Sequence, residues 1–310
     1  MTIPTVVAGR GAGARAVWET LRRCDEYDVI GPVHAVSGTP GSPGAAGQEP
    51  DQRAWTELLA LPDVSLLALC APFAGRMDLI VSARDASKAV LLAEPPFLSL
   101  DEIDFLATCE DSDTIGTVAP MPLRMLLSGV SELSSDAWSG GACGALTLSC
   151  FTPARRKQSS AAHDGTDLPA TTLALAPYVD LMCHLFGAPV VARLVASGDG
   201  TATGFAQFAS GALLSMAVTL NAPWDRHRLE IIDVARSIVL DGHQLRVDTV
   251  DEVRLLELPS PQDLRVMAYR DIATQLTSGG PLGLHRPGVG RGLALFLDLL
   301  AKGDEAPARR

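Results

Sequence analysis

In the stretch Leu173 to Leu185, LALAPYVDLMCHL, Asp180 and His184 stand four residues apart, a spacing that brings both side chains to one face of a helix. A carboxylate beside an imidazole can hold and deliver a proton. Tyr178, two residues before Asp180, adds a hydroxyl that both donates and accepts hydrogen bonds. Upstream, Arg155-Arg156-Lys157 places positive charge in a loop read as Phe151 to Ala170. Arg156 and its neighbours suit an anion, on a small molecule or on the phosphopantetheine of a carrier protein. No His/Cys/Asp/Glu cluster has the spacing of a metal site, and no G-x-S-x-G or Cys/His arrangement points to covalent catalysis.

A second pattern opens the chain. Thr5 to Ala8 (TVVA) is a short β-branched run leading directly into Gly9-Arg10-Gly11-Ala12-Gly13-Ala14, and a helical pattern follows through Val17, Leu21 and Cys24. Strand, glycine turn and helix in this order fit G-x-G-x-x-G/A. Gly9 permits the tight turn, Gly11 lets the backbone approach a pyrophosphate with Arg10 between them, and Ala14 keeps helix and strand close. The expectation is a dinucleotide site. The fingerprint also asks for an acid at the end of the second strand, to hold the ribose hydroxyls. That strand is read as Gly31 to Ser37 and ends in Ser37-Gly38-Thr39, with no carboxylate. Without it a 2'-phosphate meets no repulsion, so Ser37 and Thr39 favour NADP(H) over NAD(H), although no Arg stands there either.

These groups need a scaffold. The spacing predicts helices over Ala54 to Ala60, Met77 to Ala86 and Asp101 to Cys109, the last capped by Ser99 or Asp101, and strands over Asp63 to Cys70 and Ala89 to Ala93. Alternation of this kind argues for a parallel, doubly wound α/β sheet. From Val190 onward the runs VVARLVASG, TGFAQFASGALLSMAVTL, HRLEIIDVARSIVLDG and VRLLELP are strand-like, followed by helices over Arg265 to Leu276 and Gly292 to Lys302. Alternation around Phe205 is too mixed to assign a buried face. The expected division is a Rossmann dinucleotide-binding domain over residues 1–120 and an α+β substrate-binding and oligomerisation domain over residues 121–310.

Composition narrows the partners. Acidic residues outnumber basic ones 36 to 25, giving a formal charge of -11, which argues against a nucleic-acid footprint. No stretch has the roughly 18 apolar residues of a membrane span. Six cysteines without a CxxC pair suggest reduced thiols, and the expected location is cytoplasmic.

The order of these motifs resembles the Gfo/Idh/MocA oxidoreductases over nearly the whole chain. In that family a T-P-N-like turn after a strand, a helix starting near a His, and a G-K-H-V-L-x-E-K-P run line the nicotinamide. Here Cys70-Ala71-Pro72-Phe73, Arg76, and Ser87-Lys88-Ala89-Val90-Leu91-Leu92-Ala93-Glu94-Pro95-Pro96 fall on them without a gap. The resemblance places Ala71, Pro72 and Glu94 beside the cofactor, and it puts Pro95 where the family has its lysine. Arg124, in TVAPMPLR, matches the Arg of an N-x-R turn. The helix signature D-x-G-x-H-x-x-D falls on Leu173 to Asp180, where only Asp180 survives and Pro177 replaces the His. Arg124, Pro95, Pro177 and Arg156 thus line the expected substrate site.

Losing a general acid or base typically costs about 10²- to 10⁴-fold in rate, so alcohol oxidation is rejected. Asp180, Tyr178 and His184 remain as candidate catalytic groups. What the resemblance then implies is an NAD(P)H-dependent reductase of a specialised biosynthetic pathway, acting on an imine, an iminium or an activated C=C. The family includes thiazolinyl imine reductases that also lack E-K-P. The alternative is a non-redox relative, a cyclase, isomerase or lyase, or an inactive partner of another enzyme. The open sheet of the second domain implies a homodimer or homotetramer.

Overall fold

The structure is a computed structural model that describes residues 2–9, 11–30, 52–70, 76–92, 98–110, 117–118, 121–126, 130, 133, 138, 141–150, 170–197, 200–220, 222–278, 285 and 290–304. Two compact units divide the chain. One holds the described residues within Met1–Pro122 and Pro261–Gly290, the other those within Leu123–Ser160, Leu168–Ser260 and Arg291–Arg310.

In the first unit the strands are β1 (Ile3–Gly9), β2 (Tyr27–Val29), β3 (Leu66–Cys70), β4 (Ala89–Leu92) and β5 (Thr117–Val118). They form one parallel sheet in the order β2-β1-β3-β4-β5. β3 and β4 are buried along their whole length, which is why each reads as a continuous apolar run rather than an alternating one. The connecting helices are α1 (Gly11–Leu21), α2 (Gln52–Leu59), α3 (Arg76–Asp85) and α4 (Leu100–Glu110). The span Gly31 to Ser37, read as the second strand, lies outside the described residues, and β2 is described over Tyr27–Val29. It begins at Tyr27 because that ring is buried and its hydroxyl donates to the carbonyl of Tyr269 at 2.5 Å.

Two local devices fix the helices. Ser99 and Glu102 form a capping box at the start of α4, the Ser99 N–H donating to Glu102 Oε2 at 2.7 Å and the Glu102 N–H to Ser99 Oγ at 3.2 Å. α3 ends in a Schellman turn, with Lys88 N–H on the Ala83 carbonyl at 2.9 Å and Ser87 N–H on that of Arg84 at 2.7 Å. Ser87 sits there at φ 57°, the left-handed region that glycine enters without cost. Ser87→Gly should therefore stabilise the protein by about 0.5–1 kcal/mol, seen as a thermal midpoint raised by about 1–2 °C.

The described residues within 261–290 cluster with the first unit, although the sequence reading placed all of 121–310 in the second. The reason is α6 (Pro261–Ser278): its Tyr269, Ile272 and Ala273 are fully buried against Ile3, Val17, Leu21 and Tyr27, and Gln262 donates to Thr20 Oγ1 at 3.2 Å.

The second unit is an eight-stranded sheet in the order β13-β12-β11-β10-β6-β9-β8-β7. Its strands are β6 (Cys143–Ser149), β7 (Pro189–Ser197), β8 (Thr201–Phe208), β9 (Leu213–Thr219), β10 (Arg226–Ile232), β11 (Arg236–Asp241), β12 (Gln244–Thr249) and β13 (Val253–Glu257). Every pairing is antiparallel except β6 with β9. α5 (Ala170–Phe186) and α7 (Arg291–Asp304) cover one face, onto which Leu146, Leu148, Phe208, Leu214, Met216, Leu229 and Ile231 point. The register assigns the faces that the sequence left open. Ala206 and Phe208 turn inward, while Phe205 lies outward in the cross-strand row Leu255, Arg246, Val239, Glu230, Ala145, Ser215, Phe205, Arg193.

Candidate active site

At the cofactor end, topology sets the place. The chain leaves β1 to form β2 on one side and then returns to form β3 on the other, so the switch point of the sheet lies between β1 and β3, where ligands of open α/β sheets bind. Gly9 and Cys70 are register partners there. A Cβ on Gly9 would lie 2.8 Å from Cys70 Cβ, 2.9 Å from the Cys70 carbonyl oxygen and 3.2 Å from the fully buried Ala14 Cβ. α1 begins two residues later at Gly11, with no acid in its first turn and no side chain larger than methyl before Arg15. A helix N-terminus free of side-chain bulk and negative charge suits a pyrophosphate, so the residues present fit a dinucleotide. Arg10, Ser37, Thr39, Ala71, Pro72 and Glu94 lie outside the described residues.

Arg76, which the resemblance aligns with a His, is held by an acid of its own unit. Its Nε donates to Glu102 Oε1 at 2.8 Å and its Nη2 to Oε2 at 2.5 Å. Burial would raise the Glu102 carboxyl, but the hydrogen bonds from Arg76 and Ser99 outweigh it and hold the group below its usual range. The pair thereby ties α3 to the capping box of α4.

In the second unit the structure brings two sequence-predicted residues together. Arg124 closes a short 3-10 turn, Pro122–Arg124, and reaches α5 with both arms of its guanidinium. Nε donates to Asp180 Oδ2 at 2.7 Å and Nη2 to Oδ1 at 2.5 Å, and both side chains are 1% exposed. The fork matches the carboxylate bidentately. His184, one turn on, is half-buried. Burial lowers its pKa, the Arg124 charge lowers it further and Asp180 opposes the change, so the ring is neutral at ordinary pH.

Tyr178 turns away from that pair. Its hydroxyl lies 2.8 Å from Nδ1 of His227, with the two rings edge-on at 5.9 Å and 76°. Burial raises the Tyr178 pKa and lowers that of His227, so each is neutral. Cys150, just past β6, and Asp225, just before β10, bear electrostatically on the pair. Sequence reasoning missed His227. Pro177 lies inside α5 without ending it, and it has no N–H to offer the Leu173 carbonyl one turn back. Pro95 and Arg156 lie outside the described residues. Among the described residues no group of three His, Cys, Asp or Glu could hold a metal ion, and no helix is long and apolar enough to cross a membrane.

No protein-family model matches the sequence, and no curated protein sequence matches it. Solved structures do resemble it. UDP-N-acetylglucosamine 3-dehydrogenase GnnA from Acidithiobacillus ferrooxidans is 17% identical over 97% of both chains, with a TM-score of 0.71. An oxidoreductase from Agrobacterium radiobacter in complex with NAD+, L-tartaric acid and magnesium is 13% identical over 98% of this chain and 97% of that one, with a TM-score of 0.73. Levoglucosan dehydrogenase in complex with NADH is 16% identical over 97% and 96%, with a TM-score of 0.67. At such identities the shared property is architecture: this chain has the Rossmann-plus-open-sheet fold of the Gfo/Idh/MocA-type oxidoreductases.

Proposed function

We propose that the protein is an NAD(P)H-dependent reductase whose hydride acceptor is an imine or iminium carbon, or an activated C=C, and not an enzyme that oxidises an alcohol. The observation that carries this reading is the fully buried Arg124–Asp180 pair. Asp180 is the one acid left of the helix signature, and a carboxylate locked bidentately by a guanidinium cannot take the hydroxyl proton that alcohol oxidation must remove. Pro95, Leu173 and Pro177 offer no substitute. An imine makes less demand, because its nitrogen is already basic and the hydride neutralises a charge on the iminium.

Gly9, Gly11 and Ala14 would hold the dinucleotide, which supplies the hydride when bound. The missing acid at Ser37 and Thr39 supports NADP(H) over NAD(H). Tyr178 is the proton donor. Arg156 and its basic neighbours would take an anionic or carrier-bound substrate. The outward face of the eight-stranded sheet, with exposed Phe205, Leu213, Val195 and Leu255 beside the paired charges Arg226, Arg228 and Asp241, supports assembly with a second copy, as a homodimer or homotetramer.

Fluorescence titration with NADPH and NADH, followed by absorbance at the nicotinamide band with cyclic imines, activated alkenes and sugars, tests the reading. Micromolar binding, tighter for NADPH, and turnover of imine or alkene but not sugar are expected. Absence of binding up to millimolar would overturn it and leave a Rossmann scaffold used for isomerisation, elimination or partnership.

A further inference from the structure

We propose that His227 is a positioning residue for proton delivery, its Nδ1 fixing the Tyr178 hydroxyl as the donor, an inference that rests on the reductase reading above. The two side chains come from different elements, Tyr178 from α5 and His227 from β10, and meet at 2.8 Å. β10 is a rigid support. His227 is the register partner of Leu148 of β6, and its carbonyl accepts from the Gly242 N–H at 2.9 Å, so its backbone is fixed within the sheet. Its place is the second position of the strand, level with the end of β6.

The need for such a partner follows from the phenol. A buried tyrosine is a poor acid, because its anion is poorly solvated, and burial raises Tyr178 further above its ordinary value. A hydrogen bond donated to the phenolic oxygen stabilises the anion as it forms. His227 supplies it when neutral with the hydrogen on Nδ1, the charge state its burial favours. The hydrogen of Tyr178 is then directed away from the imidazole. For an imine, the transferred hydride forms the new C–H bond at carbon while the C=N π pair moves to nitrogen. Nitrogen takes the Tyr178 proton, the Nδ1–H of His227 holds the phenolate that forms, and a proton from solvent returns to the phenolic oxygen before the next turnover. Charge and atoms balance, and Tyr178 is ready for a second turnover.

The test begins with nitrogen-detected NMR of the imidazoles in the full-length protein. The expected result is His227 as the Nδ1–H tautomer, altered in Tyr178→Phe. An Nε2–H tautomer would mean that the phenol hydrogen is committed to His227, and would overturn the proposal without any substrate being known. With an imine that is turned over, His227→Leu and Tyr178→Phe should each lower kcat by about 10²-fold at unchanged KM, and the double variant should lose no more. His227→Gln, whose amide can still donate, should recover to within about tenfold of wild type. Additive losses, or full activity in His227→Leu, would overturn the proposal. Failure of NADPH to bind would instead overturn the reductase reading and leave the tautomer result standing.

Discussion

Asp180→Ala is expected to lose about 3–5 kcal/mol of stability, because removing one partner of a buried ion pair leaves the other charge unsolvated. Arg124 has 1% exposure and would lose its bidentate carboxylate. Total stability of a natural domain is only about 5–15 kcal/mol, so the variant should unfold at far lower urea, read by circular dichroism. The companion variant Arg124→Met with Asp180→Leu should regain a large part of the loss, since two apolar side chains of similar volume carry no desolvation cost. This contrast separates two roles for one residue. An Asp180→Ala protein that kept its stability and lost turnover would make Asp180 the acid after all, and would return alcohol oxidation to consideration.

Gly9→Ala carries the second large effect. The new methyl would stand 2.8 Å from Cys70 Cβ and 2.9 Å from the Cys70 carbonyl oxygen, closer than any relaxed contact. Neither neighbour can swing aside, because Cys70 is the register partner of Gly9 and β3 is flanked by β1 and β4. The strands must spread at their carboxyl ends, at a cost of about 1–3 kcal/mol. That is also the switch point, so NADPH affinity should fall by at least tenfold in the titration described above, with a lowered thermal midpoint. A variant of unchanged affinity would show that the dinucleotide is not held at this turn.

The parts of the fold visible in the sequence are those where pattern and burial coincide. Leu66–Cys70 and Ala89–Leu92 announce buried parallel strands because both faces are covered, so every position is apolar. The glycine turn is equally local. Arg124 and Asp180 were each identifiable as site residues, but nothing in a sequence couples positions 56 residues apart, so their union appears only in the folded chain. His227 left a fainter trace. In RHRLEII the inward positions are His227, Leu229 and Ile231, and an imidazole that heads an otherwise apolar row needs a polar partner across the packing. That partner is Tyr178. The place of α6 was hidden for a different reason: its apolar residues declare a helix, and only the hydroxyl of Tyr27 and the groove beside Leu21 declare which unit it completes.

That placement of α6 bears on how the chain is made. During synthesis the first five strands emerge early, yet the face formed by Ile3, Val17, Leu21 and Tyr27 has no cover until Tyr269, Ile272 and Ala273 leave the ribosome, after nearly all of the second unit. The nascent Rossmann sheet must wait with a greasy flank open, a circumstance that invites chaperone engagement and slows maturation through contacts of long sequence separation. Closure of the first unit's core thus waits until the described strands of the second unit have been made.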